Sequence, residues 1–520
     1  MLGLTIDDLR SDLTYQPEAL NSGTSGRRGW VVHLTQLEIY TNPSEGGIHA
    51  GDDFYYAHDL RPSSIRIENG RGGLCQAVRK ALEDAGMHPI NLGAIPTPAL
   101  THFALKNGKG SIMVMGSHIP FERNGYKLNT SKGELLKKHE QPINNAGMFC
   151  NVLPDLVPAV SEGKTAYIQC YRDFFEGLRL EGMKLLVYQH SVVGRDLLVE
   201  FLQMFGADVT PAGRSETFLP IDTEAIDEAQ LNTVQDICTE TGQTFDGIVS
   251  TDGDSDRPLL LAPEGDRLRF FSGDLLDMIV AEYLRADAVV VPISTNDGID
   301  RGPYVISGIQ NAVSKGRHGV CGWEANGGFL TGFDIDQNER ILSALPTRDA
   351  VLPLLCALFA ARNKQCTLPE IVYDPSRLFQ PRRIDSQVSS ANELIMKHYS
   401  PPEAIIQKVS FDNDNIIAFD PGHATLRVTE PHAQQLVLVR RELCSIFSAK
   451  FGFSAISWIN FTDGIRMIFA DGDFAHIRPS GNADELRIYA VSSSRERTDA
   501  IIRMGIAELD GLLRRLGSMV

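Results

Sequence analysis

Thr251-Asp252-Gly253-Asp254-Ser255-Asp256-Arg257-Pro258 is the stretch on which the reading of this chain turns. Three carboxylates alternate with small residues, and a fixed cation follows at once. The apolar run Gly247-Ile248-Val249 reads as a buried strand, so the loop sits where that strand ends. Three like charges this close repel strongly unless a positive charge holds them together. A hard divalent cation such as Mg²⁺ does so, because it takes oxygen ligands and serves phosphate-handling sites. Read alone, the loop could still be a solvated acidic turn. An EF-hand is disfavoured, since Arg257 stands where that loop needs its turning glycine.

Outward from this loop the chain repeats one rhythm. Leu74, Val78, Leu82 and Ala85 lie at helical spacing, Gly86 ends that helix, and Ile90-Asn91-Leu92-Gly93 starts a strand. Leu197, Leu198, Phe201, Leu202 and Phe205 form a second helical stripe, closed by Gly206 before Ala207-Asp208-Val209. A third helix, Gly273 to Leu284, precedes the apolar run Ala288-Val289-Val290-Val291. Helices alternating with short apolar strands imply α/β layers built from related units. The end of the chain differs. A helix near Gln434 to Phe451 leads into strand patterns at Gly464–Phe469, Ala475–Ile477 and Leu486–Val491. One long helix carrying Ile501, Ile506, Leu513 and Leu516 closes the chain. That order reads as a separate α+β domain, with Leu368 to Pro381 as the linker before it.

Size and composition narrow the class. A chain of 520 residues allows three or four domains at roughly 100–200 residues each. A formal net charge of −17 argues against nucleic acid and anionic membranes as partners. A binder of phosphorylated small molecules must then concentrate its cations locally. No run of about 18 uncharged apolar residues offers a membrane span, and the first residues lack the basic and apolar parts of a signal peptide. The eight cysteines are scattered, with no Cys-x-x-Cys pair. Free thiols in a reducing cytoplasm are the expectation.

Three further loops carry candidate chemistry. Gly116-Ser117-His118-Ile119-Pro120 follows the strand pattern Ser111–Val114; Gly116 is read as the sharp turn and Pro120 as the stiff exit. A hydroxyl such as that of Ser117 needs a proton acceptor or a metal to act as a nucleophile, and His118 and Lys127 are nearby in sequence. Glu324-Ala325-Asn326-Gly327-Gly328 could accept a pair of sugar hydroxyls, or be a glycine-rich turn with one exposed acid. Arg478-Pro479-Ser480-Gly481-Asn482 lies between two strand patterns. Arg478 offers a donor fork suited to a phosphate dianion; Ser480, Asn482 and the amides around Gly481 could complete an anion nest. Arg487 is a second candidate cation. A hairpin turn with a surface arginine is the plainer alternative.

Taken together, the loops resemble the active-site signature of the α-D-phosphohexomutases. Asp252 to Arg257 is similar to their metal loop, Gly116 to Pro120 to their phosphoserine loop, Glu324 to Gly327 to their sugar loop, and Arg478 to Gly481 to their phosphate loop. Gly23-Thr24-Ser25-Gly26-Arg27-Arg28-Gly29 and Pro96-Thr97-Pro98 also match family segments, and the order is kept from about residue 23 to 490. The resemblance implies three related α/β domains plus a C-terminal α+β domain resembling the TATA-binding-protein fold, around a central cleft. Their expected spans are residues 1–178, 179–271, 272–378 and 379–520.

It also implies a chemistry. Ser117 would carry a phosphoryl group, pass it to a sugar monophosphate, and recover the other phosphate after the bound bisphosphate turns around. Mg²⁺ would sit on Asp252, Asp254, Asp256 and the Ser117 ester. Lys127 matches the family's acid–base lysine, with His118 in support, and Arg257 and Arg28 would add positive charge. Glu324 and Asn326 would bind the sugar; Arg478, Ser480, Gly481, Asn482 and Arg487 would hold the distal phosphate. A hexose 1,6-bisphosphate would be the activator, and a monomer or homodimer the expected state.

The departures touch three of the four loops. Asn326 and Gly328 replace the common Ser and His, Ile119 replaces Asn in the serine loop, and Asn482 and Ala483 replace Thr and Glu. The region Asn296 to Tyr304 looks shortened. Within the family, these loops with Leu345-Pro346-Thr347-Arg348-Asp349-Ala350 are similar to the bacterial phosphomannomutase branch. Glucose phosphate, dual-specificity, and glucosamine or acetylglucosamine phosphate mutases are the alternatives. An inactive sugar-phosphate binder and a metal-dependent phosphatase are the readings from other classes.

Overall fold

The computed structural model describes residues 21–22, 27–30, 51–68, 71–117, 123–134, 154–224, 226–292, 305–337, 339–371, 378–384, 389–412, 415–421, 424–479, 486–507 and 510–518. These fall into two compact units, one of residues 1–289 and 309–371, the other of residues 290–308 and 372–520. The first unit is α/β and the second is α+β, the classes that the spacing of apolar residues predicts.

The first unit opens with β1 (Arg27–Trp30), β2 (Asp53–His58), α1 (Leu74–Asp84), β3 (His88–Ala94), α2 (Thr97–Lys106), β4 (Ser111–Val114) and β5 (Arg123–Thr130). The sheet runs β1-β5-β4-β2-β3, with the short strands Asn21–Ser22 beside β1 and Gly133–Glu134 beside β5. Strands β3 and β4 are parallel to β2, and β5 is antiparallel to both β4 and β1. Leu74, Val78 and Leu82 recur every four residues on α1 and are buried against Phe54, Tyr56 and Ile112 of the sheet. Each such side chain contributes about 1.5–3 kcal/mol by leaving water.

After α3 (Glu162–Phe174) comes β6 (Lys184–Tyr188), α4 (Arg195–Met204), β7 (Asp208–Ala212), α5 (Glu228–Glu240), β8 (Gly247–Thr251), β9 (Pro258–Glu264) and β10 (Arg267–Phe271). The order is β7-β6-β8-β9-β10, with β6 parallel to β7 and β8. Every residue of β8 is buried, so its end holds the acidic loop on a rigid base. Gly206 closes α4 in the left-handed region, φ +87°, where a side chain is strained. The unit ends with α6 (Gly273–Tyr283), β11 (Val320–Trp323), β12 (Phe329–Thr331) and α7 (Val351–Lys364), the last buried almost all round.

The second unit comprises β13 (Leu378–Ile384), α8 (Ser389–His398), β14 (Lys408–Asp412), β15 (Asn415–Phe419), β16 (Thr425–Leu426), α9 (Glu430–Ile446), β17 (Ile456–Asn460), β18 (Ile465–Phe469), β19 (Phe474–Pro479), β20 (Leu486–Ser492), α10 (Arg495–Ile506) and α11 (Leu512–Ser518). Its sheet runs β13-β20-β19-β18-β17-β14-β15-β16.

Three expectations are corrected here. The linker span ends as a strand, because Leu378–Ile384 pairs antiparallel with β20 along its length. The helix expected to Phe451 stops at Ile446, and Ala449–Phe451 is a separate 3₁₀ turn. The closing helix is two helices: Ala507 leaves α10 with ψ 133°. Gly511 then packs so tightly that a Cβ there would lie 2.5 Å from the Ala507 carbonyl oxygen.

Candidate active site

The acidic loop is held by its own first carboxylate. Asp252 Oδ1 accepts from the amides of Asp256 (3.2 Å) and Arg257 (3.1 Å), and the Asp252 amide donates to the Arg257 carbonyl at 3.0 Å. Ser255 sits at φ +58°, sparsely populated for a residue with a side chain. Its hydroxyl oxygen accepts from Thr251 Oγ1 and the Gly194 amide, both at 2.9 Å, which holds that turn in place. The result is three fully buried carboxylates whose ligand oxygens lie within 4.8 Å of one another. Asp252 Oδ1 is spent on the loop, so Oδ2 faces outward from it.

Ser117 meets that oxygen: its Oγ donates to Asp252 Oδ2, and the residue is fully buried. The serine, not the glycine before it, makes the sharp turn, with φ +53°. Gly116 is needed for a different reason from the one its sequence position suggests. A Cβ there would lie 2.3 Å from Arg61 Nε. Arg61 donates from Nη2 to the Ser117 carbonyl (3.0 Å) and from Nη1 to the Arg123 carbonyl (2.9 Å). Asp59 completes the clamp by pairing with Arg61 Nε at 3.2 Å and accepting the Gly116 amide at 3.0 Å. Phe218 lies under the guanidinium, 3.8 Å from ring centre to Cζ, close enough for a cation–π contact. Neither Asp59 nor Arg61 is singled out by sequence reasoning; an Asp-x-Arg following the apolar run Phe54–Ala57 was the available signal.

Cations enclose the acids. Lys127, on β5, donates from Nζ to Asp254 Oδ2 (3.2 Å) and to Asp256 Oδ2. Arg257 Nε stands 3.7 Å from Asp256 Oδ1 and 4.0 Å from Asp252 Oδ2. Thr97, in the Pro-Thr-Pro segment, donates from Oγ1 to Asp254 Oδ2 at 2.6 Å. Arg348, given no role by the sequence, donates from Nε to Asp256 Oδ2 (3.0 Å) and from Nη1 to Glu324 Oε2 (2.9 Å). Asn326 donates to the same Glu324 oxygen at 2.8 Å and accepts the Gly328 amide at 3.0 Å, so both its polar ends serve the loop.

The electrostatics split the acids. Burial first, then repulsion from Asp254 and Asp256, pushes the Asp252 carboxyl well above the usual range. Burial acts on Asp256 too, but Arg348, Lys127 and Arg257 together outweigh it and hold that carboxyl far below. Glu324 is likewise lowered, to about 2, because Arg348 and then Arg257 overcome its burial.

In the second unit, Arg478 and Arg487 stand directly opposite each other on β19 and β20. Arg478 Nη1 pairs with Asp463 Oδ2 at 3.2 Å, and Arg487 is nearly buried. Arg28 lies on β1 opposite Gly125 of β5, the strand that carries Lys127. His118, Ser480, Gly481 and Asn482, together with residues 23–26 and 296–304, lie outside the described residues.

Buried charge of both signs around one hydroxyl is what moving a phosphoryl group between oxygens demands. The class is therefore a phosphoryl-transfer enzyme. Residues 57–146 match the family model for phosphoglucomutase/phosphomannomutase, alpha/beta/alpha domain I. The chain is 34% identical over 520 residues to a phosphomannomutase of Sinorhizobium fredii (strain NBRC 101917 / NGR234), covering 94% of this chain and 98% of that one. It is 33% identical over 519 residues to a phosphomannomutase of Salmonella muenchen, covering 95% and 97%. A crystal structure of a phosphoglucomutase/phosphomannomutase family protein from Burkholderia thailandensis shares the fold, with TM-score 0.58 at 14% identity over 95% of this chain and 97% of that one. The chain belongs to the α-D-phosphohexomutase superfamily and is an intramolecular phosphotransferase of that family. Among the described residues no helix is long and apolar enough to cross a membrane.

Proposed function

We propose that the chain is a phosphomannomutase, interconverting mannose 6-phosphate and mannose 1-phosphate through a phosphate ester on Ser117. The observation that carries this reading is the hydrogen bond from Ser117 Oγ to Asp252 within a buried aspartate triad. The names of two full-length relatives at 34% and 33% identity favour mannose. Mg²⁺ suits the residues present. Asp254 Oδ1 is buried without a hydrogen-bond partner, a costly state that a bound cation relieves. Asp252, Asp254, Asp256 and Ser117 would hold the ion, which when bound withdraws charge from the phosphoryl oxygens.

The residues then divide the work. The bond between phosphorus and Ser117 Oγ breaks as a sugar hydroxyl oxygen forms the new one; the hydroxyl loses a proton and Oγ regains one. Lys127, hydrogen-bonded to Asp254 and Asp256, is assigned that acid–base role, with His118 in support. Arg257 and Arg28 add positive charge. Glu324, steadied by Asn326, accepts from the sugar hydroxyls. Arg478, Ser480, Gly481, Asn482 and Arg487 hold the phosphate that is not reacting. The bisphosphate stays bound, turns, and returns its other phosphate to Ser117, which a hexose 1,6-bisphosphate primes. Full burial of Ser117 suits the exclusion of water that this ester requires. The seven described cysteines are free, in keeping with a reducing cytoplasm.

Coupled turnover of mannose, glucose and glucosamine phosphates with a bisphosphate activator tests the reading, alongside peptide mass spectrometry of residue 117. Highest kcat/KM on mannose phosphate with a phosphate at Ser117 is expected. Net phosphate release without interconversion, or an unmodified Ser117, overturns it.

A further inference from the structure

The Arg348 guanidinium joins two loops that the reaction needs in register. Nε reaches Asp256 of the metal loop at 3.0 Å, and Nη1 reaches Glu324 of the sugar loop at 2.9 Å. Lys127 donates to the same Asp256 oxygen, so one continuous line runs Glu324–Arg348–Asp256–Lys127. Arg348 is 2% exposed. The next residue anchors its backbone: Asp349 accepts from Tyr167 Oη at 2.8 Å, from Tyr171 Oη, and from the Val351 amide that opens α7 at 2.7 Å. Glu324 takes both the Arg348 and Asn326 bonds on Oε2, while its side chain keeps 24% exposure. Oε1 is therefore the oxygen left to meet a ligand.

Gly328 explains how the arginine fits. A Cβ at position 328 would lie 2.4 Å from Arg348 Cδ, 2.6 Å from Cγ and 2.9 Å from Cβ. These are contacts along the whole stem, not only at its flexible tip, so the chain cannot hold both Arg348 in this place and a side chain at 328. One of the sugar-loop departures thus has a steric cause.

We propose that Arg348 is the residue that positions Glu324 for sugar selection, and that Gly328 is glycine to make room for it. The inference rests on the mutase reading above and deepens it. A carboxylate that must tell an axial from an equatorial hydroxyl discriminates only if its own rotamer is fixed. Arg348 fixes it against the metal loop, where the reacting phosphate belongs. Lysine offers a point charge on a flexible stem and cannot span two carboxylates as the guanidinium fork does.

The test is a kinetic and thermal cycle on the full chain. Wild type first defines the preferred hexose phosphate and its kcat/KM ratio over the epimer. Arg348→Lys and Arg348→Met are expected to lower kcat/KM for the preferred sugar about 100-fold, the scale of a misplaced positioning group. The epimer should lose much less, so that selectivity collapses. Gly328→Ala alone should lower both the melting temperature and the activity. In an Arg348→Ala background it should lower the melting temperature less, since the contacts with Cδ and Cγ are gone and only the one with Cβ, at 2.9 Å, remains. Retained selectivity in both Arg348 variants overturns the positioning role, and additive thermal effects of Gly328→Ala and Arg348→Ala overturn the packing argument. A wild type without turnover or a Ser117 phosphate would instead defeat the mutase reading, and the thermal cycle would still report on the packing.

Discussion

The serine–aspartate centre of the first unit and the arginine pair of the second solve the problem of buried charge in opposite ways. In the first, Asp254 and Asp256 meet Lys127, Arg257 and Arg348 within a few ångströms, and the residues involved are at most 2% exposed. The chain supplies most of the countercharge, and Asp254 Oδ1 is left without a hydrogen bond. In the second, Arg478 and Arg487 face each other across neighbouring strands, an arrangement that costs stability between like charges. Asp463, on a half-exposed turn, is the acid seen against Arg478. Arg383 stands opposite Arg487 in the next strand, and buried Arg466 lies over the Phe474 ring at 4.1 Å. On the proposed mutase reading, the acids of the first region are met mainly by cations of the chain, and the arginines of the second are placed to take a sugar phosphate.

The largest expected effect breaks the first region at its hydroxyl. Ser117→Ala should reduce mutase turnover to background while leaving the melting curve near that of wild type, because one small buried group is lost; wild-type turnover would remove the phosphoserine. Next comes Asp256→Asn, which leaves Lys127 and Arg348 without their shared anion. Removing one partner of a buried pair costs about 3–5 kcal/mol, so both activity and the urea midpoint should fall. Asp463→Asn, at an exposed pair, should cost no more than about 1 kcal/mol. Equal losses from the two variants would erase the contrast between the regions.

What was legible in the sequence follows the same division. Motifs contained in one short segment can be read from it: the alternating acids of Thr251–Pro258, the Gly116-Ser117 loop, and the helical stripe Leu74, Val78, Leu82. Asp59, Arg61 and Arg348 could not be, because their roles exist only after distant segments meet. Arg61 reaches the Ser117 carbonyl across 56 positions, and Arg348 reaches Asp256 across 92. Gly116 was legible as necessary but not for the right cause, since its neighbour in space is 55 residues or so away and only packing reveals it. The break between α10 and α11 was hidden because apolar residues continue on both sides of Ala507–Gly511.

A smaller effect sharpens the second region. Arg478→Ala should raise KM for sugar phosphate about 10- to 100-fold, as a charge-assisted bond to phosphate of about 1.5–3 kcal/mol is lost, with a lesser change in kcat. Steady-state kinetics on the preferred sugar would show it, and an unchanged KM would remove Arg478 from the phosphate grip.

The smallest effect reads the cations through a neighbour. His476 is buried on β19, and burial, then Arg466 and Arg478, hold its pKa down to about 3, against the bond its Nε2 makes to the Asp463 carbonyl. The folded value lies below the unfolded 6.5, so the unfolded chain binds the proton first. The stability tied to neutral His476 is complete above pH 6.5 and is lost, by about 1.4 kcal/mol per pH unit, as pH falls from 6.5 toward 3. His102 and His190 of the first unit, both held near 4 mainly by burial, add the same sign. A bound phosphate anion offsets the two arginines and raises the His476 value, which makes its share of the acid loss smaller. Acid unfolding followed with and without inorganic phosphate should therefore show a shallower limb with phosphate in wild type. In His476→Gln the limb should already be shallower, with a smaller response to phosphate. An equal phosphate response in both proteins would mean that the anion is held away from the Arg478 face, and the contrast between the two regions would lose its second half.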